Sequence, residues 1–156
     1  DWLLLTGAVG GSLSGRHLRF EARVDAGLKL HHEFKARALM DVSDGLAWDL
    51  FRMARSSKVR ARLLHIPIHP DGVKASILDG KESLWHALHD GEDHELIAAM
   101  RPEDARAALA SRSRCLRGLT LIGEMEKGVG LVLGSELTGG STERWRPSQG
   151  GWRHGG

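Results

Sequence analysis

One stretch constrains this chain more than any other: Ala38 to Phe51, reading ALMDVSDGLAWDLF. Its first three residues are apolar and fit the end of a buried strand. Asp41-Val42-Ser43-Asp44-Gly45 then reads as a turn, and Leu46 to Phe51 as the start of a helix. Ser43 and Asp44 are favourable N-cap residues, and Gly45 relaxes the backbone where strand becomes helix. A strand delivered onto a helix N-terminus leaves unpaired N–H groups and a partial positive charge at the sheet edge. Two carboxylates at such a corner can hold Mg²⁺, and Mg²⁺ brings phosphate oxygens with it. Capping alone is the commoner use of an Asp-x-x-Asp pattern. An aspartyl nucleophile is set aside on spacing, because that chemistry needs its two acids closer together than Asp41 and Asp44 stand.

Strands and helices alternate along the rest. Trp2 to Leu5 reads as a strand, and the Gly-rich turn Gly7 to Ser12 after it matches neither the dinucleotide fingerprint nor the P-loop. A short helix is expected from Leu13 to Leu18. A longer one runs from Val24 to Phe34, with Val24, Leu28, His31 and Phe34 as its stripe. Val59 to Ile66 is a strand, Val73 to Leu78 and Glu82 to His89 are helices, and Leu96 opens another strand. Pro102-Glu103-Asp104 starts a helix reaching about Ser111. Leu119 to Gly123 and Val129 to Leu133 are strands. From Gly134 the composition shifts to Gly, Ser, Thr, Arg and Pro, which reads as a loosely structured tail. Its Trp145 and Trp152 must dock on the domain or stay wet. The pattern predicts an α/β (α+β) domain: a mixed sheet of about six strands with helices packed on one face.

Composition excludes more than it selects. The 156 residues are 41% hydrophobic and 27% charged, as in an ordinary globular domain. A net charge of +2 gives no general affinity for nucleic acid. The single cysteine, Cys115, excludes an intrachain disulfide and suits a reducing cytoplasm. No apolar run approaches the roughly 20 residues of a membrane span. Asp90-Gly91-Glu92-Asp93-His94-Glu95 crowds acids into one loop, either a solvated turn or a polar patch facing a cationic substrate or a metal. His86, His89 and His94 with Glu92 and Asp93 lack the compact spacing of a zinc site.

Four segments stand in a fixed order: LTGAVGGSLSGRHL (Leu5 to Leu18), MDVSDGLAWDL (Met40 to Leu50), DGEDHEL (Asp90 to Leu96) and LIGEMEKGVGLVL (Leu121 to Leu133). Together they resemble the C-terminal half of the thiamine-monophosphate kinases, members of the aminoimidazole ribonucleotide synthetase superfamily. Gly151-Trp152-Arg153-His154 is similar to that family's closing Gly-aromatic-Asp-His, with Arg153 where an acid is usual. The segment Arg19 to Arg23 departs from a stretch usually richer in proline. The resemblance implies residues 1–134 as the C-terminal domain, residues 135–156 as a tail docking on it, and an absent N-terminal half.

It further implies transfer of the γ-phosphoryl group of ATP to thiamine monophosphate in the cytoplasm, catalytic only with the N-terminal domain, in a homodimer. Nucleic acid and membrane are not expected partners. Carried over residue by residue, Asp41 and Asp44 would be Mg²⁺ ligands and Ser43 an ATP contact. Glu92 and Asp93 would face the substrate, and Trp152 would lie against its aromatic part. No general base is implied, because the attacking phosphate oxygen is already ionised. A non-catalytic phospholigand-binding module of the same fold, and a sister enzyme acting on another phosphorylated substrate, remain open.

Overall fold

Leu3, Leu4 and Leu5 are all fully buried. A strand without a polar face can sit only where both sides of the sheet are covered. Accordingly β1 (Trp2–Leu5) lies inside a mixed sheet with β2 (Ala38–Asp41), β3 (Arg60–Leu63), β4 (Leu96–Met100), β5 (Thr120–Glu126), β6 (Gly130–Leu133) and β7 (Glu143–Trp145). The computed structural model describes residues 1–149, and the strand order among them is β2-β4-β1-β5-β3-β6-β7. Neighbours pair antiparallel except β3 and β6, which run parallel.

Side chains alternate through this sheet with period two. Leu3, Leu5, Ile97 and Ala99 join a large core with α2 (Leu46–Ser56) and α4 (Ser83–His89), which follows α3 (Pro70–Asp79) in the chain. Leu4, Ala98 and Met100 join a smaller one with α1 (Val24–His32) and α5 (Pro102–Ala110). Helices therefore cover both faces rather than the expected one, and the strands among the described residues number seven rather than about six. The stripe expected on α1 also differs. Ala26 and Leu30 are buried, while Val24 and Leu28 stay 61% and 53% exposed. The face that α1 turns to β1 and β4 is the narrow one carrying the small alanine, and this leaves its bulkier apolar residues outside.

The described part of the segment after Gly134, residues 135–149, is not loose. It forms the short α6 (Ser135–Thr138) and then β7, which pairs with β6. Trp145 on β7 is 3% exposed, edge-on to Trp48 at 5.9 Å and tilted against Phe51 at 5.6 Å. Its indole N–H donates to His89 Nε2 at 3.1 Å. An aromatic anchor with a paired polar handle outweighs a weak local strand preference. Trp152 lies outside the described residues. No helix among the described residues is long and apolar enough to cross a membrane.

Two outcomes follow for stability. Trp145→Ala should cost about 3–5 kcal/mol in urea unfolding, the usual loss for a buried tryptophan. His89 donates Nδ1–H to the Trp85 carbonyl at 2.9 Å while Nε2 accepts from Trp145, so the neutral ring fits this place. Burial lowers its pKa, and the Trp85 carbonyl and Asp90 only partly oppose that. The unfolded chain, near 6.5, then binds the proton more readily. Its contribution is complete above that pH and declines as pH falls below it. A His89→Gln variant should lose that decline in urea midpoints taken from pH 7.5 to 5.5.

Candidate functional site

The ladder between β2 and β4 does not stop at the sheet. Asp41 pairs with Leu96, and beyond them Val42 N–H donates to the Glu95 carbonyl at 2.8 Å. His94 N–H then donates to Val42 at 2.9 Å and Glu92 N–H to Ser43 at 2.8 Å. This continuation lays the acidic loop along the 41–43 turn. Gly91 presses so close that a Cβ there would lie 2.6 Å from the Ser43 carbonyl oxygen, and its φ of 70° also asks for glycine. Glu92 and His94 take positive φ of 53° each, a conformation costing roughly 1–3 kcal/mol for a side-chain-bearing residue. The ladder hydrogen bonds hold them there.

The turn itself is fixed from within α2. No side chain caps this helix at Gly45. Instead Asp49, 2% exposed, reaches back and accepts the N–H groups of both Ser43 and Asp44 at 2.9 Å. The expected capping by Ser43 or Asp44 is thus replaced by a carboxylate from the first turn, and Gly45 enters the helix at a φ of 110° that favours glycine.

The Gly-rich turn is also filled by the chain's own acids. Gly10 N–H donates to Asp93 at 3.0 Å and Gly11 N–H to Asp90 at 2.7 Å. Asp90 in turn faces His86 Nδ1 at 3.0 Å, and His86 Nε2 lies 3.2 Å from Asp79. Arg16 closes on Asp93 at 2.7 Å, and Arg23 and the Thr6 hydroxyl hold Glu95 at 2.6 Å each. The histidines part company, since His89 binds Trp145 whereas His94 meets Glu92 and stacks on Phe20.

These contacts sort the expected residues. Ser43 and Glu92 line one cavity of about 280 Å³ together with Leu13, His17 and Asp90. Asp41 is exposed and lines a neighbouring groove with Phe20 and His94. Asp44 is 6% exposed and turned to the Arg52 guanidinium. Asp93, expected beside Glu92 at the substrate, is turned inward instead, its side chain closed from solvent by Gly10 and Arg16. Burial pushes its carboxyl up to about 6, against the Arg16 and Gly10 hydrogen bonds. Among the described residues, no three of His, Cys, Asp and Glu lie close enough to hold a metal. Sequence reasoning missed Asp49, Asp90 and Arg16. Only Asp90 carried a signal, as part of the acidic loop.

Asp49 offers a direct test of how the turn is held. Burial pushes its carboxyl up to about 6, while the N–H groups of Asp44 and Ser43 pull it down. Because the folded value lies above the ordinary 3.8, the stability it contributes is whole below about pH 4 and is lost as pH rises to about 6. Asp49→Asn should remove that share of the fall in urea midpoints between pH 4 and 7. Asp49→Ala should cost about 2–4 kcal/mol at pH 4, since two N–H groups lose their acceptor, and less at pH 7.

No protein-family model matches the chain. Over 107 residues it is 45% identical to the thiamine-monophosphate kinase of Rhodopirellula baltica, covering 67% of this chain and 34% of that protein. The thiamine-monophosphate kinase of Bacillus subtilis is 34% identical over 128 residues, with 67% and 38% covered. The crystal structure of the thiamine-monophosphate kinase from Stenotrophomonas maltophilia superposes at a TM-score of 0.72 with 28% identity, over 88% of this chain and 51% of that one. AaThiL complexed with AMPPCP and TMP superposes at 0.69 with 24% identity, over 99% and 51%, a likeness of fold. The chain therefore spans between a third and about half of the length of these relatives. With the fold and the sequence likeness pointing the same way, the chain belongs to the thiamine-monophosphate kinase family as a domain of its C-terminal type.

Proposed function

We propose that this chain is the C-terminal half of an enzyme that moves the γ-phosphoryl group of ATP onto the phosphate of thiamine monophosphate. A phosphate oxygen of the acceptor forms the new P–O bond, the β–γ bridge breaks, and thiamine diphosphate and ADP leave. The observation that carries this reading is the shared cavity of Ser43 and Glu92, two residues far apart in sequence joined by the extended ladder.

Phosphoryl transfer is mostly positioning and charge neutralisation. The Ser43 hydroxyl, which has no hydrogen-bond partner among the described residues, suits a phosphate oxygen of the nucleotide. Glu92, its side chain 52% exposed, offers a carboxylate to the permanent cation of the thiazolium. Asp93 holds the loop rather than the substrate. Asp41 and Asp44 supply only oxygen donors, which fits Mg²⁺ in chemistry. Mg²⁺, when bound, would neutralise charge between the two phosphate groups. For Asp44 to take part, Arg52, 47% exposed, must release it. The remaining donors would come from phosphates, water and the protein's own N-terminal half, in a full-length protein that forms a homodimer. A reducing cytoplasm suits the lone Cys115.

The absence of a three-ligand cluster among the described residues favours a second reading, a phospholigand-binding module without catalysis. Kinase assays on the full-length protein separate the two. Asp44→Asn should lower kcat by at least about a hundredfold with the urea midpoint little changed. Glu92→Gln should raise KM for thiamine monophosphate about tenfold while leaving KM for ATP as it was. Wild-type kinetics in both variants would favour the module.

A further inference from the structure

The acidic loop is a partition. Asp90 and Glu92 face the cavity of Ser43, whereas Asp93 and Glu95 face a second cavity of about 330 Å³ behind it. Four arginines line this second space: Arg16, Arg19, Arg23 and Arg117. Two are committed, Arg16 to Asp93 and Arg23 to Glu95. Arg19 and Arg117 have no acid partner among the described residues. They arrive from separate segments, each just after a single 3-10 turn, Arg16–Leu18 and Arg114–Leu116. The other acid of the lining is Glu21, which leaves the four arginines against three carboxylates. Gly7 and Ala8 form part of the wall, and their N–H groups have no hydrogen-bond partner among the described residues.

We propose that this cavity is an anion site for a phosphate group, free or carried on a phosphomonoester. Two guanidinium groups without an ion-pair partner among the described residues, set against the single remaining carboxylate of Glu21, leave one positive charge in excess on a concave surface, and an anion between them offsets that excess. The planar guanidinium fork matches phosphate oxygens in pairs, and free backbone N–H groups add donors of the same kind. The wall shared with the Ser43 cavity places such a phosphate next to the loop that carries Glu92. The assignment does not depend on the kinase reading, because it uses none of that site's residues.

The test is calorimetric and thermal titration of the whole chain at constant ionic strength. One arm uses inorganic phosphate, a second glycerol 3-phosphate, and chloride serves as the control. Saturable binding in the millimolar range is expected in at least one phosphate arm, and the arm that saturates tells free phosphate from an ester. The double variant Arg19→Ala/Arg117→Ala should bind at least tenfold more weakly. Its melting temperature without phosphate should match the wild type, since both side chains are exposed and unpaired. Ser43→Ala should bind phosphate here as the wild type does. Equal effects of chloride and phosphate, no saturation in either phosphate arm, or undiminished binding by the double variant would each overturn the proposal. Binding lost in Ser43→Ala and kept in the double variant would move the anion to the other cavity and overturn it as well.

Discussion

A single carboxylate inside the protein, Asp49, holds the corner on which the site is built. It gathers the N–H groups of Ser43 and Asp44, groups that a helix start leaves without partners. With those donors satisfied, the turn can present its carbonyls outward, and the Ser43 and Val42 carbonyls then receive the acidic loop. Remove the acceptor and the turn must find water for two donors in a buried place. The loop would lose its template in the same event. Local helix chemistry thus governs the approach of residues about fifty positions away.

The Gly-rich segment shows how the same physics is spent differently. Consecutive N–H groups after a strand make a good anion cradle. Here Asp93 and Asp90 occupy it, so the cradle joins two loops of the protein. The acids ordered by this clamp cannot all serve a ligand. Of the loop's carboxylates Glu92 is the most exposed, and it sits on a left-handed backbone.

Much of this was legible in the sequence. Three successive leucines announced β1 as a strand without saying that helices would cover both its faces, and the apolar run before Asp41 announced the strand-to-helix corner. The resemblance put Ser43 and Glu92 in one site, and the ladder supplies the physical reason they meet. What escaped were pairings without local pattern. Asp93 finds Arg16 across 77 positions and Gly10 across 83, and nothing in the loop's composition tells a buried acid from a solvated one. Val24 and Leu28 keep a helical period yet face outward, because periodicity gives a stripe without saying which neighbour it meets. Trp145 was expected to dock or stay wet, and it docks; what the composition hid is the strand β7 that carries it.

The position of β1 has a consequence for how the chain comes into being. It is an inner strand of the sheet, but its two neighbours are β4, paired through Met100, and β5, paired through Glu124. At the roughly 10 residues per second of synthesis, about ten seconds pass before either neighbour exists. Through that interval a run of bare leucines with open hydrogen-bonding edges has no native partner. The nascent protein is then most exposed to chaperone capture and to mispairing with other chains, well before any ligand becomes relevant.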